Sequence, residues 1–173
     1  GTSNSIRGFA VGGYAPGLTN KVEKFNIAIG GTATDFGDLT GVRGNGVGVT
    51  SQSHGGLNEG YQGTRIAPIP QGGGVGNLGL FAGGEPVNNI NYVTISSLGN
   101  GVDFGNLTSG RYDAPGGVGS AIRGVFCGGN LSGVQDTMDY ISFASTGNAA
   151  DFGNLTDARI SPACVASDTR GCM

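Results

Sequence analysis

The chain has no tryptophan, one histidine, two methionines and only 12% charged residues among its 173. Each shortage removes a class of function. A single histidine, His54, cannot supply the usual zinc donor set. Nine Lys and Arg lie scattered among twelve Asp and Glu, so the massed basic face of a nucleic-acid binder is missing. No apolar run approaches the ~20 residues that span a bilayer as a helix. No ten-residue stretch keeps a 3.6-residue apolar period, so helix is predicted to be nearly absent. No secretory leader pattern is visible, and the chain opens Gly1-Thr2-Ser3 without methionine, which reads as a mature or partial chain.

What is abundant is glycine, with 37 residues, about three times the ordinary usage of roughly 7%. It follows no three-residue period, which excludes collagen. Recurring apolar runs such as Asn91-Tyr92-Val93-Thr94-Ile95 argue against disorder. Tight turns and close backbone packing remain as the reason for so much glycine.

The glycines fall into a repeat. Arg7-Gly8-Phe9-Ala10-Val11-Gly12-Gly13 leads to Asp35-Phe36-Gly37-Asp38-Leu39-Thr40 and Arg43. Gly79-Leu80-Phe81-Ala82-Gly83-Gly84 leads to Asp103-Phe104-Gly105-Asn106-Leu107-Thr108 and Arg111. Arg123-Gly124-Val125-Phe126-Cys127-Gly128-Gly129 leads to Asp151-Phe152-Gly153-Asn154-Leu155-Thr156 and Arg159. A fourth copy opens at Arg170-Gly171-Cys172. The predicted organisation is one array over 1–173. Its repeats cover about 7–43, 79–122 and 123–169, with an insertion at about 44–77 and the start of a fourth at 170–173. Each repeat is expected to hold four short strands. In the third they are Val125–Cys127, Met138–Phe143, Ala150–Phe152 and Ile160–Val165, separated by turn residues.

A unit of about 47 residues, with four strands, a glycine doublet, an aromatic strand and a closing arginine, resembles the kelch repeat. Gly12-Gly13, Gly83-Gly84 and Gly128-Gly129 match its doublet. Phe25, Tyr92 and Tyr140 match its tyrosine, and Phe36, Phe104 and Phe152 stand where it has tryptophan. Arg43, Arg111 and Arg159 match its arginine. The Gly/Asn-rich wording is similar to glycine-rich kelch-like repeat proteins of aquatic tailed-phage virions. The resemblance implies an all-β fold of four-stranded β-propeller blades. It also implies an extracellular or virion location and a structural or binding role; the repeats show no cluster of acids or histidines, so neither catalysis nor a cofactor is expected.

The chain is expected to open at the second strand of a blade, giving about three blades where a closed propeller needs at least four. More sequence, further chains in the ring, or strand addition between subunits would complete it. A homo-oligomer or polymer is therefore expected, with a surface glycan as the outside partner and no nucleic acid or membrane span. The first functional reading is a fibre or appendage module contacting a host glycan. The second is a filament subunit joined by strand completion, and a glycan-active enzyme ranks third.

Candidate residues divide between chemistry and architecture. Asp35, Asp103 and Asp151 invite calcium or acid–base roles, but recurrence in every repeat favours a turn requirement. The recurring arginines form either an anion-binding ring or, as preferred, pairs with the repeat's own aspartates or caps on carbonyls between blades. His54 and Tyr61, both in the insertion, are the candidate ligand-binding residues, Tyr61 by stacking on sugar. Asn106, Asn130 and Asn154 sit in glycosylation sequons. Cys164 and Cys172 would face each other across a hairpin centred on Asp168, a candidate disulfide. The alternative is two small buried apolar side chains.

Overall fold

Strand follows strand along the chain, each pairing antiparallel with the one before it inside a sheet. The computed structural model describes residues 2–3, 7–14, 16–44, 46–52, 77–84, 87–113, 115–166 and 170–173. The first sheet holds β1 (Thr2–Ser3), β2 (Arg7–Val11), β3 (Thr19–Asn26) and β4 (Thr34–Arg43) in that order. The second holds β5 (Gly48–Ser51), β6 (Leu78–Ala82), β7 (Asn89–Thr94) and β8 (Val102–Asn106). The third holds β9 (Gly116–Gly119), β10 (Arg123–Cys127), β11 (Thr137–Ser142) and β12 (Ala150–Asn154). The pair β13 (Val165–Ala166) and β14 (Gly171–Cys172) begins a fourth. The fold is all-β, a row of four-stranded blade-like sheets. Among the described residues there is no helix, and no sheet closes into a barrel.

Several expectations shift in detail. The first sheet is not short of its inner strand, because β1 pairs with β2 through Thr2↔Phe9 and Ser3↔Gly8. The added length of the second repeat lies between β5 and β6, more narrowly placed than 44–77. Most of Ile160–Val165 is not strand; only Val165 begins β13. The register also corrects one equivalence. Leu80 pairs with Tyr92 and Val125 with Tyr140, but Phe9 pairs with Lys24. Lys24, not Phe25, therefore takes the tyrosine place, and its ammonium lies 5.8 Å from the Phe36 ring. Tyr92 and Tyr140 meet Phe104 and Phe152 edge-on, at 6.0 and 5.7 Å.

The Asp-Phe-Gly block is strand throughout: the strand expected through Phe152 runs on through the glycine, and the recurring Asp lies in strand rather than at a turn. Glu23 opposes Asp35 while Val22 opposes Gly37, so Phe36 is an extra residue in β4. Phe104 and Phe152 are the extra residues of β8 and β12. A bulge kinks its strand and re-aims a side chain. Here it accompanies a Phe packed on the next sheet: Phe36 and Phe104 are 4% and 3% exposed, and Phe152 is 48% exposed. Burying such a ring stabilises by about 1.5–3 kcal/mol.

Two cores result, and both lie between sheets. Phe9, Val22, Phe36 and Leu39 of the first meet Phe81, Val93 and Ile95 of the second. Leu80, Ala82, Ile90, Phe104 and Leu107 of the second meet Phe126, Ile141 and Phe143 of the third.

After each bulge stands a glycine, and at the two internal joints the neighbouring backbone comes too close for a side chain. A Cβ on Gly37 would lie 2.5 Å from the Gly99 carbonyl oxygen. One on Gly105 would strike the Gly147 carbonyl, whereas one on Gly153 meets nothing nearer than Met138 Cε at 3.8 Å. All three carry positive φ, at 153°, 149° and 122°. Gly105→Ala is therefore expected to cost about 1–3 kcal/mol more than Gly153→Ala, the difference being steric overlap alone. Urea unfolding measures it, and equal costs would contradict the packing argument.

Candidate functional site

Arg43 closes β4, and Arg111 follows β8; both leave their own sheet and enter the next. Each is first fixed by its backbone. The carbonyls of Arg43, Arg111 and Arg159 accept from the amides of Gly13, Gly84 and Gly129, at 2.8, 3.1 and 2.8 Å. This contact needs glycine one residue earlier. Gly12, Gly83 and Gly128 have φ between 61° and 72°, and a Cβ there would press on the same arginine carbonyl.

The guanidinium then reaches the following sheet. Arg43 Nη1 donates to the Gly83 carbonyl at 3.0 Å, and Nη2 donates to Asn89 Oδ1. Arg111 Nη1 donates to the Gly128 and Thr137 carbonyls at 3.2 and 2.9 Å, and Nη2 pairs with Asp139. Both partners of that ion pair are fully buried. Asp139 also accepts from the Thr108 amide at 3.2 Å and the Thr108 hydroxyl at 2.6 Å. Asn91 does the same for Thr40, at 3.0 and 2.6 Å. Burial without a carboxylate partner lowers the pKa of Arg43.

The arginines thus cap carbonyls between sheets, one of the two arrangements expected. The aspartate they use is not the recurring one. Asp35, Asp103 and Asp151 lie exposed on the outer strands. Asp103 accepts from Asn89 Nδ2 at 2.6 Å, and Asp151 accepts from the Gly153 amide at 3.1 Å. Sequence reasoning passed over Asn91 and Asp139. Each is a polar residue at the middle of an apolar strand, and each answers the Thr that ends the Asp-Phe-Gly block. Their identity differs between units, so recurrence did not flag them; the available signal was a polar residue at the same place in each apolar strand.

The inner strands pack closest. A Cβ on Gly119 of β9 would sit 2.7 Å from the Ser51 carbonyl oxygen of β5. A cavity of 740 Å³ opens between them and β13, lined by Phe9, Ile27, Thr50, Gly117 and Val165 among others. No group of three or more His, Cys, Asp or Glu able to hold a metal occurs among the described residues.

His54 and Tyr61 fall outside the described residues. The ends of their segment are held: Gln52 donates its amide to the Leu78 carbonyl at 3.1 Å and its Nε2 to the Ala121 carbonyl at 3.3 Å. Of the sequon asparagines, only Asn154 is exposed. Asn106 Nδ2 donates to Asn148 Oδ1 at 3.4 Å, and Asn130 Nδ2 donates to Asp113 Oδ2 at 3.0 Å.

The cysteine pairing differs from the expectation. The β13–β14 register sets Cys172 opposite Val165, one residue off from Cys164. All three thiols are free, and the Cys164 sulfur lies 3.9 Å from that of Cys127. The hydrogen bond between them and burial push the Cys127 thiol far up. The same bond and the Gly117 amide lower Cys164, so Cys164 ionises first.

No protein-family model matches the chain, and no curated protein matches it.

Diamide treatment of the folded protein is expected to join Cys127 to Cys164, since closing to a disulfide needs the sulfurs to approach by only about 2 Å. Peptide mapping reads the linkage. A Cys164–Cys172 bridge would contradict the register.

Proposed function

We propose that the chain is a non-catalytic structural and binding module of the kelch-like propeller kind, serving in an extracellular or virion fibre or appendage. One observation carries this reading. The recurring arginines that have a sheet beyond them, Arg43 and Arg111, are taken up in joining each sheet to the next, through carbonyls and polar side chains of the sheet that follows. A repeat whose charged groups close its own joints serves architecture.

What does not recur is the long connection between β5 and β6. Its counterpart in the third sheet, between β9 and β10, is three residues, 120–122. Long connections on a rigid scaffold commonly carry recognition. We assign contact with a surface glycan to this segment, with Tyr61 as the stacking ring and His54 as a second candidate contact. A second reading, a subunit of a polymer, is favoured by the exposure of Phe152 on the third sheet where Phe36 and Phe104 are covered.

Replacing 53–76 by a short turn is expected to keep the β-sheet circular dichroism and to abolish binding on a glycan array or to a host envelope. Undiminished binding would remove the segment from the account. Turnover of any arrayed glycan by the purified protein would overturn the non-catalytic reading.

A further inference from the structure

Each joint between sheets is made from two unlike faces. The leading sheet supplies the bulge Phe, the Leu three residues on, and the Thr and Arg that follow. The receiving sheet supplies the carbonyl of its glycine doublet, a polar residue in its third strand, and two apolar residues beyond it. At the first joint the leading set is Phe36, Leu39, Thr40 and Arg43, and the receiving residues are Asn91, Val93 and Ile95. At the second the leading set is Phe104, Leu107, Thr108 and Arg111, and the receiving residues are Asp139, Ile141 and Phe143.

Both faces recur, only partly covered, at the two ends of the array. The third sheet ends in a leading face: Phe152, Leu155, Thr156 and Arg159. Phe152 is 48% exposed, and so is the Arg159 side chain, whose one ion pair among the described residues is to Asp157 at 3.7 Å. The first sheet begins with a receiving face. The β2–β3 register puts Glu23 in the place of Asn91 and Asp139, Phe25 in that of Val93 and Ile141, and Ile27 in that of Ile95 and Phe143. Phe25 and Ile27 are 41% and 50% exposed, where their counterparts at the internal joints are buried. Glu23 is exposed and has no side-chain partner among the described residues.

The match extends to the backbone. Gly147 and Ala149 donate their amides to the Phe104 and Asn106 carbonyls, both at 2.8 Å, and Asn148 Oδ1 accepts from the Asn106 amide at 3.0 Å. Gly99, Asn100 and Gly101 repeat this on β4. On the first sheet Gly31, Thr32 and Ala33 hold the same register places, all exposed. On the third, Phe152 and Asn154 are the waiting acceptors, likewise exposed.

We infer that a second copy of this chain docks head to tail, its first sheet seated on the third sheet of the copy before it, with Arg159 and Thr156 closing on Glu23. The charges favour this occupant: Glu23 carries the carboxylate that Asp139 offers Arg111. The contact joins unlike patches, so it propagates into a ring or an open chain. Two copies would bring six complete sheets, within the range of about four to eight blades in closed propellers. One obstacle is built in. β13 and β14 stand where the partner's β1 and β2 would lie. They share a two-residue ladder, and Val165, Gly171 and Cys172 are exposed. Docking displaces this pair and gains the whole face. Ala10 stands where the internal joints have Phe81 and Phe126, so the new joint is less filled near its inner strands.

The inference specifies the polymer reading above and is tested apart from glycan binding, which involves a different segment. Sedimentation of the full chain across a concentration series measures association. Glu23→Arg and Arg159→Glu, both on the surface, are each expected to weaken it by about tenfold or more. The double variant, and an equimolar mixture of the two single variants, should recover most of it. Removing 165–173 should strengthen association, since the displaced pair is gone. A chain monomeric at every concentration would overturn the inference. So would single variants that associate like the parent, or a truncation that abolishes association, which would instead point to strand completion by β13. Glycan binding that survives in the charge variants keeps the binding reading separate from either result.

Discussion

Everything in this array depends on one contact, a guanidinium anchored in one sheet and discharged in the next. At the second joint it is a fully buried ion pair between Arg111 and Asp139. Such a pair carries a desolvation cost that its attraction offsets only with good geometry and further hydrogen bonds. Most of those bonds are present: two carbonyls accept from Nη1 and Thr108 donates twice to the carboxylate, while the buried Nε has no partner among the described residues. Removing one partner alone strands a buried charge. The pair therefore fixes which sheet follows which, and in what register, more than it adds net stability. The first joint reaches the same place with Asn89 and Asn91 in place of a carboxylate.

The glycines follow from that contact. For the arginine to cross, its own carbonyl must be held by a backbone amide, and the doublet turns at positive φ to present one. For the bulge Phe to pack, the next sheet's turn must approach β4 and β8 within backbone hydrogen-bonding distance, which leaves no room for a Cβ at Gly37 or Gly105. High glycine content here marks backbone-to-backbone packing between sheets. It does not mark a loose chain.

Much of this was legible in the sequence. The repeat, the all-β class, the glycine doublets and the preference for a structural role of the arginines, as partners of aspartate or caps on carbonyls, all rest on recurrence, which reports on whatever every unit must do. Recurrence is blind to register. It set Phe25 where Lys24 belongs, and it read the recurring Asp as a turn requirement and the glycine after Phe as a turn, when the extra Phe makes a bulge and the strand runs on through that glycine. Pairing across β13–β14 is offset by one residue, which separates Cys164 from Cys172 and turns it toward Cys127. Asn91 and Asp139 differ in identity from unit to unit, so no recurrence flagged them. Only their position opposite Thr40 and Thr108 shows that they do the same work.

A scaffold whose joints are all of one kind can extend by the same joint, which ties the buried pair to the exposed faces at both ends. The most direct measurement is a double-mutant cycle on that pair: Arg111→Met, Asp139→Leu and both together, by urea unfolding of the full chain. Each single variant should cost about 3–5 kcal/mol, because a buried charge loses its partner. The double should cost well below the sum, by about 2 kcal/mol or more. Costs that add to within about 0.5 kcal/mol would mean that the arginine does not join the sheets, and the account would fail at its centre.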